Sequence, residues 1–275
     1  MEKWRLILDP PRRGPVNMAI DLALLRSLSL RACRPTLRLY SWEPPALTIG
    51  YFQRIEEEVR EEECRREGVT VIRRVTGGGA VLHEHEITYS VFIPLSHRAA
   101  PQSISESYEL LCLPIVDTLR GLGLDAEFKP VNDVLVHGAK VSGSAQTRRE
   151  GVLLQHGTLL VDVDAERMFR LLNVTKEKSA SGTPEDRVTS LRRLLGGCVM
   201  EKGFAPELSV RLARAFEARL GCSFEEGGLD AGEREDAVRM EKELFDLEAW
   251  NRDRSIRPVF TGGPVKRSRA LPASS

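Results

Sequence analysis

A run of three consecutive glycines, Gly77, Gly78 and Gly79, lies between basic residues and a histidine in the segment RRVTGGGAVLH. Glycine loses more conformational freedom on folding than any other residue, so this run indicates backbone that no side chain may crowd. Backbone N–H groups of such a turn can line an anion or a planar ring. Arg73, Arg74 and Thr76 beside it supply charge and a hydroxyl for a phosphate or a carboxylate. A bare triple glycine is also typical of a tight turn between strands.

The elements expected around the glycine run decide what kind of loop it is. A strand is predicted before it and another strand shortly after it, so the run does not open a helix. This context argues against a dinucleotide-binding fingerprint, and the absence of a following Gly-Lys-[Ser/Thr] excludes a P-loop. A sheet-embedded ligand loop and a plain turn both remain open.

A second group of residues, NDVLVHGAKVSGSAQ at 132–146, combines a lysine with small residues. Lys140 precedes Gly143, Ser144 and Ala145, which permit close approach by a ligand. A lysine at a half-buried strand position is unusual unless its ammonium group meets an anion. The alternative is an edge-strand lysine that discourages aggregation.

Two further polar features accompany this group. Asn132 and Asp133 are either turn-forming residues or an amide and a carboxylate presented to an amine or a base ring. His156 lies in the otherwise apolar strand LLQHGTLL. A single histidine of this kind is more often a structural hydrogen-bonding residue than a catalyst.

The elements that position these residues are predicted to be mainly strands. Alternating or short apolar runs indicate strands in PTLRLYSW, ALTIGYF, VTVIRRV, ITYSVFIPL, DVLV, AKVSGSAQTRR and GVLLQHGTLLVDV. The pairs His137-Gly138 and Glu150-Gly151 fall between such runs and predict hairpin turns. We therefore expect an α+β fold with a largely antiparallel mixed sheet flanked by helices.

Helical periodicity predicts the flanking helices. The first is expected to begin near Asn17 as its cap, a charged one to cover residues 55–67, and another to begin near Ser103 or Ser105. A further helix start is expected at 183–185. Amphipathic patterns predict two more helices, in PELSVRLARAFEARLG and GEREDAVRMEKELFDLEAW.

Composition and charge exclude several classes of function. The chain has 275 residues, and its 40 Lys+Arg balance 40 Asp+Glu. A net charge of zero gives no reason to expect nucleic-acid or membrane-surface binding. No stretch approaches about 18 apolar residues, so a cytoplasmic protein is expected. The five cysteines are widely spread without a Cys-x-x-Cys pair, which indicates neither a disulfide framework nor a zinc site.

The domain organisation is expected to be simple. One catalytic domain is predicted over residues 1–255, because no internal repeat or long linker interrupts it. Residues 256–275, rich in Ser, Pro, Lys and Arg, are expected to form a disordered tail.

Taken together and in this order, RRVTGGGAVLH, NDVLVHGAKVSGSAQTR and LLQHGTLL resemble the lipoate–protein ligase and octanoyltransferase family. The segments NMAIDLALL, TLRLYSWEPPALTIGYFQ and KELFDLEAWN match the same pattern, so the resemblance covers roughly residues 4–252. It implies the biotin/lipoate ligase catalytic-domain fold, which is class II synthetase-like.

The ligase branch of this family implies an ATP-dependent lipoate–protein ligase. There, the lipoate carboxylate attacks the α-phosphate of ATP, and the lipoyl-adenylate then acylates a lysine of a lipoyl domain, with Mg²⁺ screening the phosphates. On this resemblance Lys140 is the catalytic residue, bridging the acyl carboxylate and the α-phosphate. No residue is assigned to the metal. The residues implied to contact ATP or lipoate are Arg74, Thr76, Gly77, Gly78, Gly79, Ala80, Val81, His83, Asn132, Asp133, Lys140, Gly143, Ser144, Ala145 and His156.

The transferase branch instead takes an octanoyl group from an acyl-carrier thioester through a cysteine nucleophile. Transferases that this sequence resembles place that cysteine shortly before the core lysine or in the neighbouring loop, and this sequence has none there. Cys112 is expected to pack on the apolar face of a helix. The missing thiol favours the ligase, whereas HEHEITYS and SGSAQTRREGVLLQHG are closer to transferases. The predicted function is thus the ligase. The alternatives are an octanoyltransferase or lipoyl amidotransferase, or a protein that binds lipoate or a lipoyl domain without catalysis.

The resemblance also implies partners. The acceptors are expected to be lipoyl domains of 2-oxoacid dehydrogenase E2 subunits or the glycine cleavage H protein. Many ligases carry an accessory domain after the catalytic one, so either a separate accessory subunit supplies it or adenylate forms without it. Neither nucleic acid nor a membrane is expected as a partner.

Overall fold

The computed structural model describes residues 1–30, 33–173, 187–256 and 258. The helix start predicted at 183–185 and most of the predicted tail lie outside these residues. Among the described helices, none is both long and apolar enough to cross a bilayer.

Each of the seven predicted runs contains a strand of the described part of the chain, whereas the strands at Glu2–Leu8, Ala126–Lys129 and Cys222–Glu226 were not predicted. The described strands are β1 (Glu2–Leu8), β2 (Thr36–Tyr40), β3 (Ala46–Ile49), β4 (Thr70–Arg73), β5 (Val81–His83), β6 (Glu86–Pro94), β7 (Ala126–Lys129), β8 (Asp133–Val136), β9 (Ala139–Arg149), β10 (Val152–Leu160) and β11 (Cys222–Glu226).

The helices lie before, between and after these strands. They are α1 (Gly14–Leu30), α2 (Ile55–Glu58), α3 (Glu61–Arg66), α4 (Ile104–Arg120), α5 (Ala165–Leu171), α6 (Leu191–Leu195), α7 (Phe204–Leu220), α8 (Ala231–Met240) and α9 (Glu248–Asn251). A 3₁₀ turn covers Gly197–Met200, and a π-helical turn at Glu241–Phe245 connects α8 to α9.

The described strands form two sheets. The large sheet has eight strands in the order β11-β1-β2-β6-β10-β9-β8-β7, and the small sheet has three, in the order β4-β3-β5. In the large sheet β1 pairs in parallel with β11 and β2, and the remaining pairs are antiparallel. The predicted α+β fold with a largely antiparallel mixed sheet is confirmed.

Both predicted hairpin turns are present. His137 and Gly138 have φ of 50° and 81°, and Glu150 and Gly151 have φ of 51° and 75°. Two successive residues with positive φ give the turn whose twist matches that of the flanking strands. These turns connect β8 to β9 and β9 to β10, and so fix the register that brings His156 opposite Ala145.

Two helix predictions need correction. Helix α1 begins at Gly14, with Pro15 in its first turn, where a missing N–H is tolerated. Asn17 lies inside the helix, and its side-chain amide donates to the carbonyl oxygens of Arg12 and Ser41 at 3.3 and 3.0 Å instead of capping.

The charged helix predicted over residues 55–67 is interrupted. It forms α2 and α3, because Val59 leaves the helical path to make an antiparallel bridge with Leu172. The backbone N–H of Arg60 then donates to the carbonyl oxygen of Leu171 at 2.9 Å.

Helices cover both faces of the large sheet. On one face, β6 residues such as Tyr89 and Val91 pack with Leu111 and Ile115 of α4 and with Phe216 of α7. On the other face, Phe92 and Leu154 pack with α1 and with the segment that follows α8. Because side chains alternate along a strand, each strand contributes to both cores. The small sheet has a third core with α2, α3 and α5.

Candidate active site

A cavity of about 630 Å³ is lined by residues of both sheets and of α1. Its volume falls within the range of about 300–1,000 Å³ typical of small-molecule sites. The structure places all but two of the predicted site residues in its wall, and the two that do not line it are Thr76 and Gly77. The predicted residues that line it are Arg74, Gly78, Gly79, Ala80, Val81, His83, Asn132, Asp133, Lys140, Gly143, Ser144, Ala145 and His156.

The cavity has a buried inner end with apolar side chains in its wall and an exposed polar end. Met18, Tyr40 and Trp42 line the inner end and are buried in the core beneath α1. Lys129 and Gly138 line the other end and are exposed. A ligand with an alkyl chain and a polar head would therefore enter chain first.

Lys140 lies near the start of β9 with its ammonium group beside the Asp133 carboxylate. The Nζ–Oδ1 distance is 2.6 Å, and the side chains are 39% and 31% exposed. The contact is an ion pair rather than an aligned hydrogen bond. A Cβ on Gly143 would lie 2.5 Å from both Cε and Nζ of Lys140. The lysine side chain therefore lies directly over the backbone of Gly143. This agrees with the close approach predicted from the small residues that follow Lys140.

The Arg74 guanidinium organises the glycine turn. Its five N–H donors all meet protein acceptors: the carbonyl and hydroxyl oxygens of Thr48, the Thr76 hydroxyl at 3.4 Å, and the carbonyl oxygens of Gly77 and Gly79, both at 2.9 Å. Burial lowers the pKa of Arg74 to about 10, which leaves it a cation at neutral pH. As placed here, Arg74 shapes the turn and has no donor left for a bound anion.

The turn also requires unusual backbone. Gly78 has φ of +91°, a conformation that other residues rarely adopt. Its carbonyl oxygen would clash with a Cβ on Gly50, so the loop after β3 packs directly on the turn. Added Cβ atoms at Gly77 and Gly79 would meet nothing within 4 Å. The middle glycine is therefore the one that the turn itself demands.

Thr76 lies behind the wall in a buried chain of hydrogen bonds. Its hydroxyl is 2.7 Å from Nε2 of His156, whose Nδ1 is 3.3 Å from Oδ2 of Asp21. Burial favours a raised pKa for Asp21, but hydrogen bonds from His156 and Ser90 and the charge of Arg38 hold that pKa below its usual value. Burial lowers the pKa of His156. The network thus assigns a neutral ring, with Nδ1–H donating to Asp21 and Nε2 accepting from Thr76.

His83 belongs to a second buried network. Its Nδ1 is 2.6 Å from Oε1 of Glu86, and its Nε2 is 2.7 Å from the Thr48 hydroxyl. The Thr88 hydroxyl also donates to Glu86, at 2.6 Å, and accepts from the Trp42 indole at 2.7 Å. The rings of His83 and Trp42 stack with centroids 4.0 Å apart. His83 thereby fixes the aromatic wall of the inner end.

Sequence reasoning missed Asp21, Trp42 and Glu86 in these networks, and also the hydroxyl groups of Thr48 and Thr88. Asp21 is a carboxylate within the otherwise apolar helix segment NMAIDLALL, and that contrast is a signal that could have identified it. Charged residues are rarely buried unless they are paired. Nothing in the local sequence names its partner, because His156 is 135 positions away.

The described residues contain no group of three or more His, Cys, Asp or Glu side chains that could hold a metal ion.

A family model describes the same region. The lipoyl protein ligase A/B catalytic domain matches residues 13–217. Octanoyltransferase LipM of Kyrpidia tusciae is 39% identical, over 91% of this chain and 99% of its own length. Octanoyltransferase LipM of Clostridioides difficile is 32% identical, over 92% of this chain and all of its own length.

Solved structures of lipoate–protein ligases share the fold. The bipartite lipoate protein ligase of Thermoplasma acidophilum superposes with a TM-score of 0.80 at 29% identity, covering 91% of this chain and 96% of that one. An ATP-bound lipoate-protein ligase A has a TM-score of 0.77 at 28% identity, covering 91% and 98%. The predicted catalytic-domain fold is confirmed.

The relatives overturn the prediction of an ATP-dependent lipoate–protein ligase. Relatives that match nearly the full length of both chains are named octanoyltransferases, which agrees with the alternative prediction. The predicted cofactors ATP and Mg²⁺ and the predicted substrate lipoate are wrong for the same reason. The absence of a cysteine near Lys140, from which the ligase branch was predicted, therefore led to a wrong prediction.

The relatives also weigh against a protein that only binds lipoate or a lipoyl domain, since they are named as enzymes. The match over residues 13–217 covers most of the chain and contains the whole predicted site. The chain is thus an enzyme that belongs to the lipoyl protein ligase A/B catalytic-domain family.

Proposed function

We propose that this protein is an octanoyltransferase, which moves an octanoyl group from an acyl-carrier thioester to a lysine of a lipoyl domain. One observation carries the proposal: the Lys140 ammonium, paired with Asp133 over the bare backbone of Gly143, stands in the wall of a cavity with an apolar inner end. The names of the relatives support the octanoyl donor.

The inner end of the cavity suits an alkyl chain. Met18, Tyr40, Trp42 and Leu82 present apolar surface there, and all four side chains are buried. Each methylene of the chain that leaves water contributes about 0.8 kcal/mol to binding. The hydrogen bond from the Trp42 indole to Thr88 satisfies its one polar atom, so the wall offers the chain no unpaired donor at that position.

The polar end suits the reacting carbonyl. Attack on a thioester puts negative charge on the carbonyl oxygen, and a fixed cation at that position stabilises the transition state by about 2–4 kcal/mol. Lys140 is the cation proposed for this role, and Asp133 holds its flexible side chain in one place. Gly143 leaves room for both the ammonium group and the substrate oxygen.

The acceptor is proposed to be a lipoyl domain of an E2 subunit or the glycine cleavage H protein. Its lysine would approach from the open end, where Lys129 and Gly138 are exposed. Because the thioester is already activated, the proposal requires neither a nucleotide nor an accessory subunit. Ala80 and Val81 then serve as cavity wall rather than as nucleotide contacts.

The proposal is tested by mass spectrometry of an apo lipoyl domain incubated with this protein and octanoyl-carrier protein. An added octanoyl mass on the acceptor lysine is the expected result, without ATP in the mixture. A parallel reaction with free lipoate, ATP and Mg²⁺ should leave the acceptor unmodified. Modification only in the second mixture, or in neither, would reject the octanoyltransferase.

Lys140→Ala should lower kcat/KM by about a hundredfold or more, because the cation that stabilises the oxyanion is removed. Lys140→Arg should recover only part of the loss, since the wider guanidinium does not fit the space between Asp133 and Gly143. The matched control is Lys202→Ala at an exposed position that does not line the cavity. Equal activity of the Lys140→Ala and Lys202→Ala variants would contradict the assigned role.

A further inference from the structure

We infer that octanoyl transfer in this protein is a single displacement, in which the acceptor lysine attacks the carrier thioester directly and no cysteine of this chain holds the acyl group. The inference rests on the proposed function and concerns its chemical route.

The positions of the thiols support a direct route. All five cysteines of the sequence fall within the described residues, and none of them lines the cavity. Cys64 is buried in the core of the small sheet, Cys222 begins the edge strand β11, and Cys198 is in the exposed 3₁₀ turn. Cys33 follows α1 and contacts Ser27.

Cys112 contacts a cavity-lining residue, Ser144, but it does so from the face of the sheet that is turned away from the cavity. Its Sγ is 3.4 Å from the Ser144 hydroxyl and 3.9 Å from Nε2 of Gln155, in the core under α4. Gln155 and His156 are neighbours on β10, so their side chains point to opposite faces of the sheet. Since His156 lines the cavity, the sheet backbone separates the Cys112 thiol from it.

The surroundings of Cys112 also oppose nucleophilic attack. The residue is fully buried, and burial raises its pKa to about 11 despite hydrogen bonds with Ser144 and Tyr89. At neutral pH a thiol with this pKa is ionised to the order of 10⁻⁴, whereas the thiolate is the reactive form. An eight-carbon acyl group on this sulfur would also have to fit within a core packed by Leu111, Ile115 and Leu153.

The cavity can serve both substrates at once. The apolar inner end receives the octanoyl chain, and the open end admits the acceptor lysine, so the thioester carbonyl meets Lys140 between them. The amine nitrogen forms a bond with the carbonyl carbon, and the C–S bond to the carrier breaks. The acceptor ammonium loses two protons in total: one ends on the leaving thiol sulfur and the other goes to solvent. No oxidant, reductant or further reactant is required.

The test combines intact-protein mass spectrometry with initial-rate kinetics. The wild-type protein mixed with octanoyl-carrier protein and no acceptor, then quenched in acid, should gain no octanoyl mass. Initial rates with both substrates varied should give intersecting double-reciprocal lines, as a ternary complex requires.

Variants at Cys112 separate the two routes further. Cys112→Ser and Cys112→Ala should keep kcat/KM within about threefold of the wild type, because the thiol takes no part in the reaction. Cys64→Ala, at another buried cysteine, controls for general loss of stability. Thermal unfolding of each variant confirms that the measured protein is folded.

An octanoyl mass on Cys112 or any other cysteine, together with parallel lines, would overturn the direct route while leaving the octanoyltransferase intact. Loss of activity in both folded Cys112 variants, with Cys64→Ala still active, would also overturn it. A complete mixture that forms no octanoyl-lysine would instead reject the proposed function and the direct route with it.

Discussion

Most polar side chains around the cavity bond to one another and offer few free groups to a ligand. Arg74, Thr76, His156 and Asp21 form one connected set of buried hydrogen bonds. Burying such groups unpaired costs several kcal/mol, so mutual pairing is what makes a polar wall stable. Lys140, which is more than a third exposed and is ion-paired with Asp133, lies outside this set and remains a cation available for chemistry.

His156 should make stability depend on pH. Burial lowers its pKa in the folded state, so the unfolded chain binds a proton more readily below the ordinary value of 6.5. The stabilisation is therefore present above about pH 6.5 and lost as the pH falls through and below that value. His156→Gln should flatten the decline of the free energy of unfolding between pH 8 and pH 5, measured by urea denaturation.

The control for that measurement is His137→Asn, at an exposed turn residue with positive φ that asparagine tolerates. Its pH profile should match that of the wild type. A His156→Gln profile as steep as the wild type would show that the buried ring contributes nothing to the pH dependence.

Gly143→Ala should separate activity from stability. The new Cβ would occupy the place of Lys140 Cε and Nζ, and that side chain can move because its far end is flexible and partly exposed. We expect kcat to fall on the order of tenfold to a hundredfold through misplacement of the ammonium group. The melting temperature should change little, since alanine is the better strand residue by about 0.5–1 kcal/mol.

The matched control is Gly197→Ala, where an added Cβ meets nothing within 4 Å. Both variants should melt close to the wild type, and only Gly143→Ala should lose activity. Full activity of Gly143→Ala would show that the position of Lys140 does not limit the reaction.

Several hydrogen bonds of one arginine tie the segment that follows α8 to the small sheet. Arg73, at the end of β4, is fully buried and donates to the carbonyl oxygens of Gly50, Tyr51, Gln53, Trp250 and Arg252. These acceptors belong to the loop that packs on the glycine turn and to α9 with its following residue. The late motif KELFDLEAWN thus helps to hold in place the loop that packs on the glycine turn.

Arg73→Met should therefore destabilise the protein strongly. The substitution leaves several buried carbonyl oxygens without a charged donor, and we expect a loss of about 3 kcal/mol or more in the free energy of unfolding. Urea denaturation measures it, with Arg66→Met, whose side chain is 69% exposed, as the control. A loss below 1 kcal/mol, or equal losses in both variants, would contradict the stabilising role assigned to Arg73.

The cavity brings together the large sheet, the small sheet and α1, so a bound ligand should connect these three parts. A non-reactive ketone analogue of octanoyl-pantetheine at about 100 times its Kd should stabilise the folded state by about 2.7 kcal/mol. Differential scanning calorimetry should show a rise of several degrees in Tm.

The corresponding acetyl analogue at the same concentration is the control, because it lacks the chain that reaches Met18 and Trp42. Its shift in Tm should be clearly smaller. Equal shifts from both analogues would show that the inner end of the cavity does not receive the acyl chain.

Local residue patterns predicted much of the sheet and named most of the residues that line the cavity. Alternation of apolar and polar residues is a local property of a strand, and positive-φ turn residues such as His137-Gly138 fix how neighbouring strands pair. The glycine run and the segment around Lys140 were each predicted to adjoin strands, whereas their place in one common site was implied only by the family resemblance. The interruption at Val59 escaped prediction because its cause, the bridge to Leu172, is distant in sequence.

The contacts that each predicted residue makes could be read only from the three-dimensional arrangement of the strands and helices. This arrangement directed the Arg74 donors into the glycine turn, joined His156 of β10 to Asp21 of α1, and put Cys112 on the face away from the cavity. The physical reason is that such contacts depend on strand order and on which face of a sheet a side chain occupies. A one-residue shift in register would exchange those faces without altering any local pattern.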